Sequence, residues 1–254
     1  MLRTLGRQLL ATLAGILACA VPAQAERVRV AVASNFVVAA ERLVTEFAAN
    51  SEHEVQLIAG STGKLYAQIV RGAPFDVFLS ADAARPARLV EDGLAIAESR
   101  RAYALGRLVL WSADPDARAS LGPEALRRGA FRRLAIANPD LAPYGVASRE
   151  ALASLGVGRD VAPRLVYGEN IGQAYALVAS GNADLGFIAR SQVVQRGGAR
   201  DAGWVVPASH HAPIRQELVL LSRAAGNAGA QAFVTWLASD AARATIRAAG
   251  YEVD

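Results

Sequence analysis

Four times in this chain an apolar run stops at a short cluster of small or hydroxyl residues that opens a helical pattern: Ala33-Ser34-Asn35, Gly60-Ser61-Thr62-Gly63, Ala142-Pro143-Tyr144-Gly145 and Glu169-Asn170-Ile171-Gly172. Val28, Val30 and Val32 precede the first cluster, and Val37, Val38, Leu43, Val44 and Phe47 follow it on one helical face. Val55, Leu57 and Ile58 precede the second, with Leu65, Ile69 and Val70 beyond. A strand that feeds a helix and then another strand returns parallel through a right-handed crossover, so the pattern predicts an α/β fold. Further strands are expected at residues 75–80, 107–112, 133–137, 164–167, 185–188, 204–206 and 218–221. Helices are expected at 36–50, 83–92, 146–155 and 171–180, with one long terminal helix over 230–249 closed by Gly250.

The N-terminus reads differently. Arg3 and Arg7 precede an apolar run over residues 9–20, and Ala23-Gln24-Ala25 forms an A-x-A cleavage site, the pattern of a secretory signal over residues 1–25. The apolar run is too short for a stable membrane span. Ile16-Leu17-Ala18-Cys19 is a loose lipoprotein box, in which Leu17 fits poorly; the later site fits better. Cys19 is the only cysteine, so the exported chain has no disulfide and no cysteine chemistry. Removing residues 1–25 from the 254 leaves 229, enough for two modest lobes with real cores. Removing Arg3 and Arg7 from 27 basic residues leaves 25 against 23 acidic, a charge of about +2 with no long charged run. That balance argues against a nucleic-acid or membrane-surface role.

The chemistry concentrates in the four turns. In open α/β sheets such turns lie at the carboxyl edge of the strands, where ligands bind. Each also opens a helix, whose first N–H groups lack intrahelical acceptors and sit at the positive end of the helix dipole. If two turns come from each of two lobes, four helix N-termini converge on one cleft, and a small multivalent anion suits that arrangement best. Any single Ser or Thr there is more simply an N-cap. Lys64 does not complete a phosphate loop, because Gly60 to Lys64 is too short and Leu65 stands where a magnesium-binding hydroxyl would be needed. It is expected to be a solvated first-turn residue. His53, His210 and His211 have no second ligand at metal spacing, and no G-x-S-x-G elbow occurs. Asp76 and Asp82 read as caps or loop acceptors rather than a catalytic pair.

These residues carry a family resemblance. VAVASNF at 30–36, GSTGKLYAQIVRGAPFDVFLSAD at 60–82, NPDLAPYG at 138–145 and YGENIGQAYALVASGNADLGFIA at 167–189 resemble the molybdate-binding proteins of bacterial ABC importers. The second stretch is long and ungapped, which makes the resemblance specific. It implies a two-lobed type II periplasmic-binding-protein fold: each lobe a mixed, mainly parallel sheet flanked by helices, with the ligand cleft between. Lobe I would span 26–106 plus 212–254, and lobe II 107–211. The implied ligand is molybdate or tungstate, delivered to the membrane permease of an ABC importer by a monomeric periplasmic protein that is not an enzyme and has no cofactor. The family's contacts fall on Ser34, on Asn35 as a side-chain donor, on Thr62 with Ser61 adjacent, and on the main-chain N–H groups of Tyr144 and Ile171. No residue would ligate a cation directly. Some members place a tyrosine where this chain has Ala189; Asn35 is expected to replace that donor. Two alternatives stand beside this: a binding protein for sulfate or another oxyanion, and an exported α/β enzyme acting on a phosphoryl substrate, for which Glu169 is the only acid or base at hand.

Overall fold

A computed structural model describes residues 25–196 and 203–253. The signal sequence, its cleavage junction and Cys19 lie outside these residues, Ala25 excepted. The chain builds two five-stranded mixed sheets. The first contains β1 (Arg27–Ala33), β2 (Glu54–Gly60), β3 (Val77–Leu79), β4 (Arg101–Gly106) and, from far along the sequence, β10 (Ile214–Leu220), in the order β2-β1-β3-β10-β4. The second contains β5 (Leu108–Trp111), β6 (Leu134–Ala137), β7 (Leu165–Gly168), β8 (Leu185–Ala189) and β9 (Trp204–Val205), in the order β7-β6-β8-β5-β9. The chain therefore passes between sheets twice, at Gly106-Arg107 and between β9 and β10.

Alternating helices make β1, β2 and β3 parallel neighbours and likewise β6, β7 and β8. The strands that enter after a crossing, β5 and β10, run antiparallel to their neighbours, which is why both sheets are mixed. Valines 28, 30 and 32, with Phe36, Leu43 and Phe233, fill one face of the first sheet; Leu65, Ile69, Phe78 and Leu89 fill the other. A further cluster belongs to the second sheet, with Leu108, Leu110, Ile136 and Phe187. It also takes in Ala33 and Ala81 of the first, so apolar packing is continuous across the junction.

Several elements differ from the sequence expectation, among them β10, which begins at Ile214 rather than at 218, and the short helices Pro115–Arg118, Gly158–Val161 and Arg190–Val194. The terminal segment is two helices, Ala228–Trp236 and Asp240–Ala248, because Ser239 turns to an extended conformation and its hydroxyl caps the second by accepting from Ala242 N. Strand β4 was not expected. Its sequence RAYALG begins with an arginine and ends in a glycine; it pairs with β10 on one side and is bridged on the other by Leu105 to Glu252 of the C-terminal segment.

Candidate functional site

Register brings the turns together. In the first sheet Ala33 pairs with Gly60, so the chain leaves β1 and β2 side by side, and Ser34 N donates to Gly60 O at 3.0 Å. In the second Ala137 pairs with Gly168, and Asn138 N donates to Gly168 O at 2.7 Å. The two pairs of turns face one another across the junction. Gly63 N donates to Leu141 O at 2.8 Å, and Gly172 N to Ser34 Oγ at 3.4 Å, each bond joining one half of the molecule to the other. Between them lies a small pocket, with about 180 Å³ of free space including its mouth, lined by Ser34, Asn35, Ser61, Thr62, Tyr144 and Ile171 together with small residues such as Gly60 and Ala81.

The donors differ in origin. Ser61 occupies the N-cap of helix Thr62–Val70 in extended conformation, yet its hydroxyl makes no capping bond; it is buried and has no partner among the described residues. A buried hydroxyl without a partner is costly, and Ser61 lines the pocket wall. Thr62 is 1% exposed, and its Oγ1 accepts from Ala81 N at 3.2 Å, leaving its own proton to donate. Opposite, Tyr144 and Ile171 stand in the first turns of helices Pro143–Ser154 and Ile171–Ala179, and Asn170 caps the latter by accepting from Gln173 N at 3.0 Å. The N–H groups of Thr62, Tyr144 and Ile171 have no backbone acceptor among the described residues, as helix geometry dictates. Three helix N-termini thus point positive ends at one small volume.

No charged side chain lines the pocket. Lys64 is not simply solvated: its ammonium reaches across the junction to Glu169 at 3.2 Å, at the rim. That contact also engages the one carboxylate considered for acid–base chemistry. Asp82 caps the next helix and pairs with Arg85, while Asp76 accepts from Arg29 N at 2.7 Å and pairs with Arg223, so both aspartates serve structure. His53 accepts from Glu26 N, His210 bonds Ser154 at 2.9 Å, and no group of three metal-ligating side chains occurs among the described residues.

Behind the pocket lies a polar cluster that sequence reasoning missed. Asn35 Nδ2 donates to Gln216 Oε1 at 2.9 Å and to Tyr251 Oη at 3.0 Å, and Tyr251 Oη donates to Asn35 O at 2.7 Å. The side-chain amide of Asn35 is therefore engaged with the first half of the molecule as well as placed at the pocket. Tyr103 Oη lies 3.0 Å from Ser80 O and 3.1 Å from Gln216 Oε1. Tyr144 inserts its ring here from the second half: a Cβ on Gly106 would meet Tyr144 Oη at 2.1 Å, so the crossing point needs glycine. Burial pushes the hydroxyls of Tyr103, Tyr144 and Tyr251 up from the ordinary tyrosine value, keeping all three neutral donors. No sequence signal marked this cluster: Gln216 stands between Arg215 and Glu217 in the strand Ile214–Leu220, and its full burial is evident only in the fold. Ala189, fully buried at the end of β8, offers no donor.

Comparison with known proteins follows the same lines. Residues 28–252 match the family model described as bacterial extracellular solute-binding protein. The chain is 45% identical to the molybdate-binding protein ModA of Azotobacter vinelandii over 98% of each chain. It is 43% identical to that of Rhodobacter capsulatus over 94% of this chain and 93% of the relative. The solved periplasmic molybdate-binding protein of Azotobacter vinelandii superposes with a TM-score of 0.84 at 39% identity, covering 89% of this chain and 99% of that one. The chain therefore belongs to the bacterial extracellular solute-binding proteins, in the branch that contains these molybdate-binding proteins.

Proposed function

We propose that the protein captures molybdate, and tungstate with it, between its two halves in the periplasm and delivers it to the membrane permease of an ABC importer. The observation that carries this is the character of the pocket: neutral donors on both sides, a buried Ser61 hydroxyl without a partner among the described residues, and no charged side chain in the wall. Helix dipoles and a closed, dry site strengthen each hydrogen bond to a dianion, while the lack of a fixed cation keeps release feasible. A nearly all-donor shell also disfavours oxyanions that carry a proton, because such a proton needs an acceptor. The tetrahedral ligand would be held by Ser34, Ser61 and Thr62 hydroxyls, by the N–H groups of Tyr144 and Ile171, and by Asn35. This is binding, not catalysis: Glu169, the nearest carboxylate considered, is paired with Lys64 at the rim.

Calorimetry of the signal-free protein against molybdate, tungstate, sulfate and phosphate tests the reading. Tight binding of the first two with neither of the others supports it. Equal or tighter binding of sulfate would reassign the ligand, and silence with all four would end the oxyanion reading.

A further inference from the structure

Asn35 and Gln216 are side-chain amides, and a half-turn of either exchanges its O and N ends. With the ends as described above, both Asn35 Nδ2 protons point inward, to Gln216 Oε1 and Tyr251 Oη. The end of the Asn35 amide without a protein partner is then its oxygen, on a residue that lines the pocket. An acceptor at that place opposes a fully deprotonated anion. In the same arrangement Gln216 Nε2 sits beside Tyr144 Oη and can donate only to it, so the Tyr144 proton is left without an acceptor. The two groups are neighbours: the Cβ position on Gly106 is 2.9 Å from the first and 2.1 Å from the second.

Turning both amides over gives the Tyr144 proton an acceptor, in exchange for the bond from Asn35 Nδ2 to Tyr251 Oη. Gln216 nitrogen then donates to the Asn35 oxygen across the same 2.9 Å, and to Tyr103 Oη across 3.1 Å, while Tyr103 keeps its proton for Ser80 O. Gln216 oxygen comes to the place beside Tyr144 Oη and takes its proton. Tyr251 shares its proton between Asn35 O at 2.7 Å and the turned side-chain oxygen at 3.0 Å. Asn35 Nδ2 then takes the place of the amide end for which the described residues provide no hydrogen-bond partner, on a residue that lines the pocket. Turning one amide alone would bring like ends together at 2.9 Å, so the two must turn as a pair.

We infer that Gln216, outside the pocket wall, is a positioning residue for the bound oxyanion: through Asn35, and with Tyr144 Oη as its own partner, it selects the amide orientation that presents a donor to the ligand. This rests on the oxyanion reading above. It makes Gln216 a determinant of specificity, because the opposite orientation would offer an acceptor to a protonated anion such as hydrogen phosphate.

The test begins with the unaltered protein. In amide-resolved NMR, saturating molybdate shifts the side-chain NH2 signals of Asn35 together with the main-chain N–H signals of Tyr144 and Ile171. Shifts of the latter two with the Asn35 side chain unmoved would overturn the inference, and no molybdate binding at all would sink the functional reading instead. Gln216→Glu then fixes the inner partner as an acceptor, which holds Asn35 Nδ2 inward. Molybdate affinity should fall on the order of ten- to hundredfold, and the ratio of molybdate to phosphate affinity should fall with it. The same substitution in an Asn35→Ala background separates positioning from the added charge. If Gln216 acts through Asn35, most of the loss disappears there; an undiminished loss would show the charge acting directly and overturn the proposal.

Discussion

On the first-sheet side of the pocket the donors include side-chain hydroxyls, with Ser34, Ser61 and Thr62 placed by the ends of two parallel strands. On the second-sheet side Tyr144 and Ile171 contribute main-chain N–H groups and turn their side chains into the core. One half can be edited by changing a residue. The other is set by the path of the backbone, so its sensitive positions are those that allow the path: a Cβ on Gly145 would sit 2.3 Å from Ala137 O, and one on Gly168 would sit 2.5 Å from Ala174 N. In the proposed function the ligand would meet two kinds of donor, and substitutions should separate them.

The largest effect is expected in the hydroxyl half. Thr62→Ala should weaken molybdate binding by about 2–3 kcal/mol, the order for a hydrogen bond lost from a charged, desolvated acceptor. It also deprives Ala81 N of its acceptor. Calorimetry measures the change, and a dissociation constant altered less than roughly threefold would remove Thr62 from the shell. Next comes the backbone half. Gly145→Ala must displace the Ala137–Pro139 main chain, since every atom near the new Cβ is backbone, and should cost roughly 1–3 kcal/mol in binding or stability. Unchanged affinity and melting temperature would show that the second-half loop is softer than its contacts indicate.

The same contrast explains what the sequence disclosed. Strand-turn-helix alternation and the hydroxyl clusters are local patterns, so the α/β class and the candidate positions of Ser34, Ser61 and Thr62 were legible. Tyr144 and Ile171 were harder, because an N–H donor leaves no mark in residue type; the pattern marked their turns, and the resemblance singled out the residues. Gln216 and Tyr251 were invisible, since each reaches Asn35 across more than 180 positions; the return of β10 into the first sheet brings one near, and the C-terminal segment bridged to β4 brings the other. Lys64 looked like a solvated residue because its partner Glu169 belongs to the other half. The split of the terminal helix turned on one Ser competing as a cap against an otherwise unbroken apolar period.

Lys64 and Glu169 join the halves outside the pocket, and both are substantially exposed, so their contribution is small. Lys64→Met should weaken molybdate binding by about 0–1 kcal/mol at low salt, with the difference from the unaltered protein vanishing as ionic strength rises past roughly 0.15 M. A large effect that survives high salt would mean that the ammonium acts on the anion itself and would break the claim that neutral donors hold the ligand.

The smallest binding effect should come from a residue in the shell. Ile171→Val keeps the N–H, the helix start and the Asn170 cap while removing one buried methylene. Stability should drop by roughly 0.5–1.5 kcal/mol, as for other buried Ile to Val changes. Molybdate affinity should move by less than about 0.5 kcal/mol. Measuring both on one sample, by thermal denaturation and calorimetry, separates the two roles of the position. If affinity fell in step with stability, the side chain would be shaping the site, and the division between a hydroxyl half and a backbone half would no longer hold. If only stability moved, Ile171 would be a core residue whose contribution to the ligand is its place in the chain.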